Sequence, residues 1–320
     1  MNTSRQVTVV MYHYVRELAE SRYPGIKGLN LSAFRQQLEF FKQNYHVISC
    51  QRVFQALETG DGLPEKSMIL TFDDGYIDHY TNVFPLLKRY DMTGFFSMPG
   101  KILAEGKLLD VNKIHFILAS TPMEKLLPMV YERLDYYRGA EYEMPETGAL
   151  HAKLAVASRF DPAEVVFVKR LLQVELEESL RYRIVDDLFA ACVGIEEAAF
   201  AKEQYMSLDQ VWLMKQSGME WGIHGYDHYW LNRLSPDKMR RDLEKALDVF
   251  DGVVPRKGWI CCYPYGSLDD EVIRTARELG AGGGFSTKVA VADLDGDSIY
   301  ALPRLDTNDF PPKSENYLHI

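Results

Sequence analysis

Residues 66–75 read KSMILTFDDG: a lysine, an apolar run that ends at Phe72, then Asp73, Asp74 and a glycine. A short apolar run bounded by turn residues reads as a buried strand. A turn accounts for one acid and Gly75, but less well for two like charges at the end of a hydrophobic strand. The rest of the chain bears on why the pair is there.

Strand and helix alternate on both sides of this stretch. Val7–His13 is β-branched and reads as a first strand. A helix with Phe34, Leu38 and Phe41 on one face follows, with Ser32 as its expected cap. His46–Ser49 is a brief second strand, Lys66–Phe72 the third, and Thr93–Met98 a fourth that stops at Pro99-Gly100, with residues 81–89 helical between the last two. Ser207 caps a helix that ends at Gly218, and Met219–His224 is the fifth strand. Leu234-Ser235-Pro236 opens a helix with Met239, Leu243, Leu247 and Phe250 facing inward, and Gly258–Tyr263 is the sixth strand. Ser267 with Asp270 has the form of a capping box for a helix ending at Gly280, and Gly283–Val291 is the candidate seventh strand.

Seven strands with helices between them predict an α/β protein, a distorted seven-stranded parallel (β/α) barrel. Barrel enzymes gather their chemistry at the C-terminal ends of the strands. His13, Asp73-Asp74, His224 and Tyr263-Pro264-Tyr265 all fall at such ends. From about 110 to 205 the rhythm changes: Leu, Met, Glu and Lys dominate, and Asp161-Pro162 opens a helical pattern that runs toward Ala191. Alternation resumes afterwards, so the expectation is one catalytic domain over 1–320 with a helical insertion inside it.

The chain has 320 residues, 47% hydrophobic and 26% charged, with a net charge of −10. That is enough material for a sizeable core, and the acidic balance argues against a nucleic-acid or anionic-membrane binder. No apolar stretch approaches the roughly 20 residues of a membrane span. The N-terminal stretch MNTSRQVTVVMYHYV has neither the unbroken apolar region nor the cleavage site of a secretory signal, which gives a cytoplasmic expectation. The four cysteines have no CxxC spacing and read as reduced thiols.

HGYDH (224–228) places two histidines four apart, on a strand end and loop. A histidine pair alone is weak; two imidazoles with a carboxylate from another strand end make a three-ligand divalent site with open positions, the arrangement of catalytic zinc. One aspartate of the pair would then hold the cation and the other would take a proton from the attacking water. The cation would also relieve the repulsion between the two acids.

TFDDG (71–75), HGYDH (224–228) and YPYG (263–266), in this order, resemble the motifs of the polysaccharide deacetylase, or NodB-homology, family of carbohydrate esterases. VMYHYV (10–15) resembles the circularly permuted branch of poly-N-acetylglucosamine deacetylases, in which the motif with the histidine acid comes first. The resemblance covers about residues 5–100 and 206–310. It implies Asp73 as general base, Asp74, His224 and His228 as ligands of a divalent metal, most commonly zinc, the N–H of Tyr265 as an oxyanion donor, and His13 as the acid for the departing amine. Where many relatives carry an arginine that steadies the catalytic aspartate, this chain has Cys262; Arg304, in LPRLD (302–306), is the candidate replacement.

The expected function is a metal-dependent hydrolase that removes acetyl from an acetamido sugar, lipid-linked or nucleotide-linked, in surface polysaccharide biosynthesis. The alternatives are a deformylase, a cyclic-imide or ureide hydrolase on the same barrel, and a non-catalytic sugar-binding relative. Bland readings remain for His13 and for Tyr263 and Tyr265 as packing residues. Asp293-Leu-Asp295-Gly-Asp297 lacks the glycine and glutamate of a calcium loop and reads as a turn.

Overall fold

The computed structural model describes residues 3–139, 141–158 and 161–320. The chain divides into two compact units. The first takes in residues 1–17, 28–107 and 201–320; the second takes in 18–27 and 108–200.

The first unit is an α/β barrel of short parallel strands. Its barrel strands are β1 (Gln6–Tyr12), β2 (His46–Val47), β3 (Ser67–Phe72), β4 (Phe95–Met98), β5 (Glu220–Ile223), β6 (Trp259–Cys262), β7 (Ala281–Phe285) and β8 (Leu305–Asp306), and Ala292–Asp293 adds a short antiparallel pairing to β1. The parallel order β1-β3-β4-β5-β6-β7 runs unbroken, and β2 pairs with the start of β3. β8 pairs in parallel with β1, and Leu302, just before it, bridges to Phe285 of β7. Residues 302–306 therefore draw the two edges of the curled sheet together.

Strand alternation divides the two faces. Val7 and Val9 of β1, Ile69 of β3, Phe95 of β4, Ile260 and Cys262 of β6 and Phe285 of β7 belong to one buried cluster with Leu302. On alternate positions an aromatic ladder crosses the strands in register. Tyr12 stacks on Phe72 at 4.9 Å, Phe72 on Phe96 at 4.8 Å, and Phe96 leans on Trp221 at 5.5 Å. Helix α1 (Leu31–Asn44) covers this ladder with Phe34, edge-on to Tyr12. Helix α2 (Cys50–Thr59) brings Val53 and Ala56 to the cluster, and the Glu220 carboxylate accepts from the N–H groups of Cys50 and Gln51. An acid there complements the unpaired donors of a helix start. α3 (Phe84–Tyr90), α4 (Leu208–Gln216), α5 (Pro236–Val249) and α6 (Asp270–Glu278) complete the set used below.

Seven barrel strands were expected and eight are present: the first six fall where the sequence places them, β7 occupies 281–285 and not 283–291, and β8 was not foreseen. Two caps differ as well. Asn30, not Ser32, caps α1, and Asp269 caps α6 through the N–H of Val272. Ser267 instead exchanges hydrogen bonds with Asn232. Ser207 with Gln210 forms the capping box of α4, and Met239, Leu243, Leu247 and Phe250 are buried as expected.

The second unit is helical, with Asp110–Ser120, Met123–Tyr137, Thr147–Leu154, Ala163–Arg170 and Glu178–Cys192 as its main helices. Tyr23, from 18–27, packs edge-on against Phe116 and Phe200. The helical pattern expected to run from Asp161 to Ala191 breaks through a π turn, Leu171–Glu175, and resumes at Glu178. Among the described residues no helix is long and apolar enough to cross a membrane, and the four cysteines are unpaired.

Candidate metal centre and active site

The strand ends bring the polar residues together. Tyr12 pairs with Phe72, and the N–H of Asp73 donates to Tyr12 O at 3.0 Å, so His13 and the acid pair leave the sheet side by side. His224 follows β5 directly, and Tyr263 to Tyr265 follow β6.

The two acids point to different tasks. Asp73 lies two residues beyond Thr71, on the same strand face, and both touch Arg304. The Arg304 Nη1 donates to Asp73 Oδ2 at 2.7 Å and to Thr71 Oγ1 at 3.2 Å, and Ser97 Oγ donates to Asp73 Oδ1 at 2.7 Å. Arg304 Nε donates to Ser286 O, and Cys262 Sγ lies 3.8 Å from Nη1. Both members of the pair are buried. Burial alone would raise the Asp73 pKa. The charge of Arg304, aided by His224, His13 and the Ser97 hydroxyl, outweighs it and holds the carboxyl well below the usual carboxylate range.

Asp74 turns away from that face, with φ of 75°. Its Oδ1 lies 3.3 Å from His224 Nε2 and 3.4 Å from His228 Nε2, and the two nitrogens are 3.1 Å apart. A tetrahedral cation with bonds of about 2.0–2.1 Å holds its ligand atoms about 3.3–3.4 Å from one another. The observed triangle is close to one face of such a tetrahedron. His224 Nδ1 donates to Cys262 O at 2.6 Å, which leaves Nε2 of the neutral ring as a lone pair facing the carboxylate. Asp74 Oδ1 is buried without a hydrogen-bond donor. A cation satisfies all three atoms at once, so the residues fit a divalent metal. Asp74 Oδ2 accepts from Tyr76 Oη at 2.5 Å. Burial works against ionisation of Asp74, but the two imidazoles outweigh it and hold the carboxyl well below its ordinary value. Burial lowers the His228 pKa, whereas at His224 the carboxylates overcome burial and raise it.

Five described non-glycine residues have positive φ, and three of them are Asp74, His228 and Tyr265. Backbone strain of this kind persists where the surroundings impose it and gathers at functional sites. The Tyr265 ring lies edge-on to His228 at 4.6 Å and stacks on Trp230 at 4.7 Å.

Several partners were not foreseen. Ser97 is a polar residue on a buried apolar strand, and that contrast is a readable signal. His79 is fully buried; burial lowers its pKa to about 4, and its Nε2–H donates to His13 O at 2.9 Å. Tyr76 carries no signal of its own beyond its closeness to Asp74.

A parallel barrel that gathers an Asp/His/His set and a second, ionised aspartate at the C-terminal ends of its strands has the make-up of a metal-dependent hydrolase. Comparison with known proteins agrees. A family model described as "Polysaccharide deacetylase" matches residues 60–116 and 192–283, segments that contain Asp73, Asp74, His224, His228 and Tyr265. Over these two segments the chain is similar to the polysaccharide deacetylase family.

Poly-beta-1,6-N-acetyl-D-glucosamine N-deacetylase of Escherichia coli (strain K12) is 37% identical over 83 residues, 25% of this chain and 12% of that protein's length. A candidate polysaccharide deacetylase, YxkH of Bacillus subtilis (strain 168), is 20% identical over 301 residues, 94% of this chain and 71% of that one. Among solved structures, the Streptococcus pyogenes deacetylase PplD in complex with acetate superposes with a TM-score of 0.57 at 19% identity, covering 98% of this chain and 97% of its own. IcaB from Ammonifex degensii gives 0.57 at 18% identity, covering 98% and 95%. The two structures bear on the fold.

Proposed function

We propose that the protein is a metal-dependent N-deacetylase of acetamido sugars, acting in surface polysaccharide biosynthesis. The observation that carries this reading is the pairing at residues 73 and 74. One buried carboxylate faces the Nε2 atoms of two imidazoles, and its neighbour is kept ionised by Arg304.

Asp74, His224 and His228 would hold the cation, with zinc favoured by the two-nitrogen, one-oxygen donor set. Such a cation supplies Lewis acidity, which acidifies the attacking water and polarises the acetyl carbonyl. Asp73 takes the proton of that water; a carboxylate held this low accepts only from a strongly acidified donor. The Tyr265 N–H, offered from a left-handed turn, donates to the developing oxyanion. His13 protonates the departing amine, without which an amide nitrogen is a very poor leaving group. The hydrogen bond from the His79 ring to the His13 backbone carbonyl holds the His13 segment in place.

The test uses zinc-loaded protein with β-1,6-linked N-acetylglucosamine oligomers, and separately with lipid-linked and nucleotide-linked N-acetylglucosamine, reading acetate release. Acetate is expected from at least one substrate, and Asp73→Asn should lose it while still binding zinc. Zinc bound one-to-one with no acetate from any of them would overturn the reading.

A further inference from the structure

Gly225-Tyr226-Asp227 joins the two histidine ligands, and this loop is gripped from two sides. Asp242, on the inward face of α5 and 5% exposed, accepts from the Tyr226 N–H at 2.9 Å through Oδ2 and from the Asp227 N–H at 3.0 Å through Oδ1. On the carbonyl side, Gly225 O and Tyr226 O accept from the N–H groups of Gly100 and Lys101, at 3.0 Å each. The fit leaves no room for a side chain at 225. A Cβ there would lie 2.9 Å from Asp242 Oδ2, on a residue whose φ of 69° already favours glycine. The grip ends one residue before His228, which holds a left-handed φ of 59°.

No step of the proposed chemistry uses Asp242. A buried carboxylate is costly unless something needs it. Burial, with the charge of Asp227, pushes the Asp242 pKa up to about 6, against the pull of the two N–H groups and Lys245. Lys101 pairs with Asp227 at 2.7 Å, and burial, aided by the Asp242 charge, pushes the Cys261 thiol up. An asparagine would avoid the charge, but it has one accepting oxygen and would set an NH2 group against the second N–H. Two adjacent donors in this geometry are matched by a carboxylate.

We propose that Asp242 is a positioning residue: by holding the N–H groups of Tyr226 and Asp227 it fixes His228 where it completes the Asp74–His224–His228 set, and so governs how tightly that set binds its cation. This rests on the metal-centre reading above.

The experiment measures zinc affinity by competition with a chromogenic chelator for the unaltered protein, Asp242→Asn and Asp242→Glu. Circular dichroism and the Tm of the metal-free proteins are recorded alongside. Loss of a ligand-orienting partner typically weakens metal binding about 10–100-fold, and a loss of that order is expected in both variants. The metal-free Tm of Asp242→Asn should fall somewhat, because its NH2 group meets a buried N–H, so zinc affinity is compared at a temperature at which circular dichroism shows every protein folded. A fallen metal-free Tm with unchanged zinc affinity would mark a merely structural role and overturn the proposal. Unchanged affinity with unchanged Tm overturns it too. If Asp242→Asn does not fold, Asp242→Glu, whose carboxylate sits one methylene away, is judged by the same criterion. Absence of zinc binding by the unaltered protein brings down the metal-centre reading itself, and this proposal with it.

Discussion

Arg304 does for Asp73 what a lone buried carboxylate cannot do for itself. The pair is fully buried at 2.7 Å, so removing the guanidinium leaves an uncompensated charge, which typically costs about 3–5 kcal/mol. Arg304→Ala should therefore lower stability by that order in denaturant unfolding. The pH dependence follows from the direction of the shift. The Asp73 pKa is depressed in the folded protein, so its contribution is present above the unfolded carboxylate value and is lost only as pH falls through the lower folded value. Without Arg304, burial dominates and the Asp73 pKa rises. The acid limb of kcat/KM should then move to higher pH, and an unmoved limb would remove Arg304 from the site. Arg304→Lys should restore only part, since one ammonium cannot reach Ser286 O, Thr71 and Asp73 in the same fork. At this scale the sequence spoke through composition at fixed spacing: the acid pair, the two histidines four apart, and a cysteine where an arginine was expected. It was silent on Tyr76 and showed Ser97 only as a polar residue on an apolar strand, because a hydroxyl's partner is set by the third dimension. Asp242 was legible in principle, as an acid between Met239 and Leu243 on the buried face of α5.

Elements were legible where periodicity is strong and blurred where one side chain decides. Asn30 and Asp269 took the caps because their side chains reach an N–H two or three residues on. Ser32 and Ser267 have the right chemistry two positions away. The π turn at Leu171–Glu175 breaks a helical pattern without a glycine or proline to mark it. β7 was displaced because Gly282-Gly283-Gly284 looks like a turn. In the sheet, the missing side chains let the Phe54 and Tyr263 rings lie against the strand. β5 uses the same device at Gly222, two residues before His224. A Cβ there would meet Ile260 O at 2.5 Å and Phe95 Cζ at 2.4 Å. The neighbouring strand's carbonyl cannot withdraw without breaking the sheet. Gly222→Ala should thus destabilise the protein by about 1–3 kcal/mol, the usual range for overpacking. Equilibrium urea unfolding measures this, and a loss below about 0.5 kcal/mol would mean the sheet yields at no cost.

For the whole molecule, the candidate ligands matter by where they sit along the chain. Asp74 follows β3 and His224 and His228 follow β5, and the long helical stretch lies between them in sequence. A cation held by all three ties strand ends that the unfolded chain keeps far apart, so it binds the folded state and stabilises it by mass action. Zinc at about 100 times its Kd contributes about 2.7 kcal/mol. For a chain of this size each kcal/mol moves Tm by about 1.5 °C, so chelation should lower Tm by about 4 °C and added zinc should restore it. The ligand imidazoles must give up their protons to bind, so the shift should shrink as pH falls through the range where histidine protonates. Asp74→Asn and His228→Gln should abolish the zinc-dependent shift. Asp73→Asn should keep it, since Asp73 faces Arg304 and Ser97 and not the imidazole nitrogens. Scanning calorimetry with and without chelator on these four proteins separates the two aspartates. An equal shift in all four, or none in the unaltered protein, would mean that the triangle of Asp74, His224 and His228 does not hold a metal.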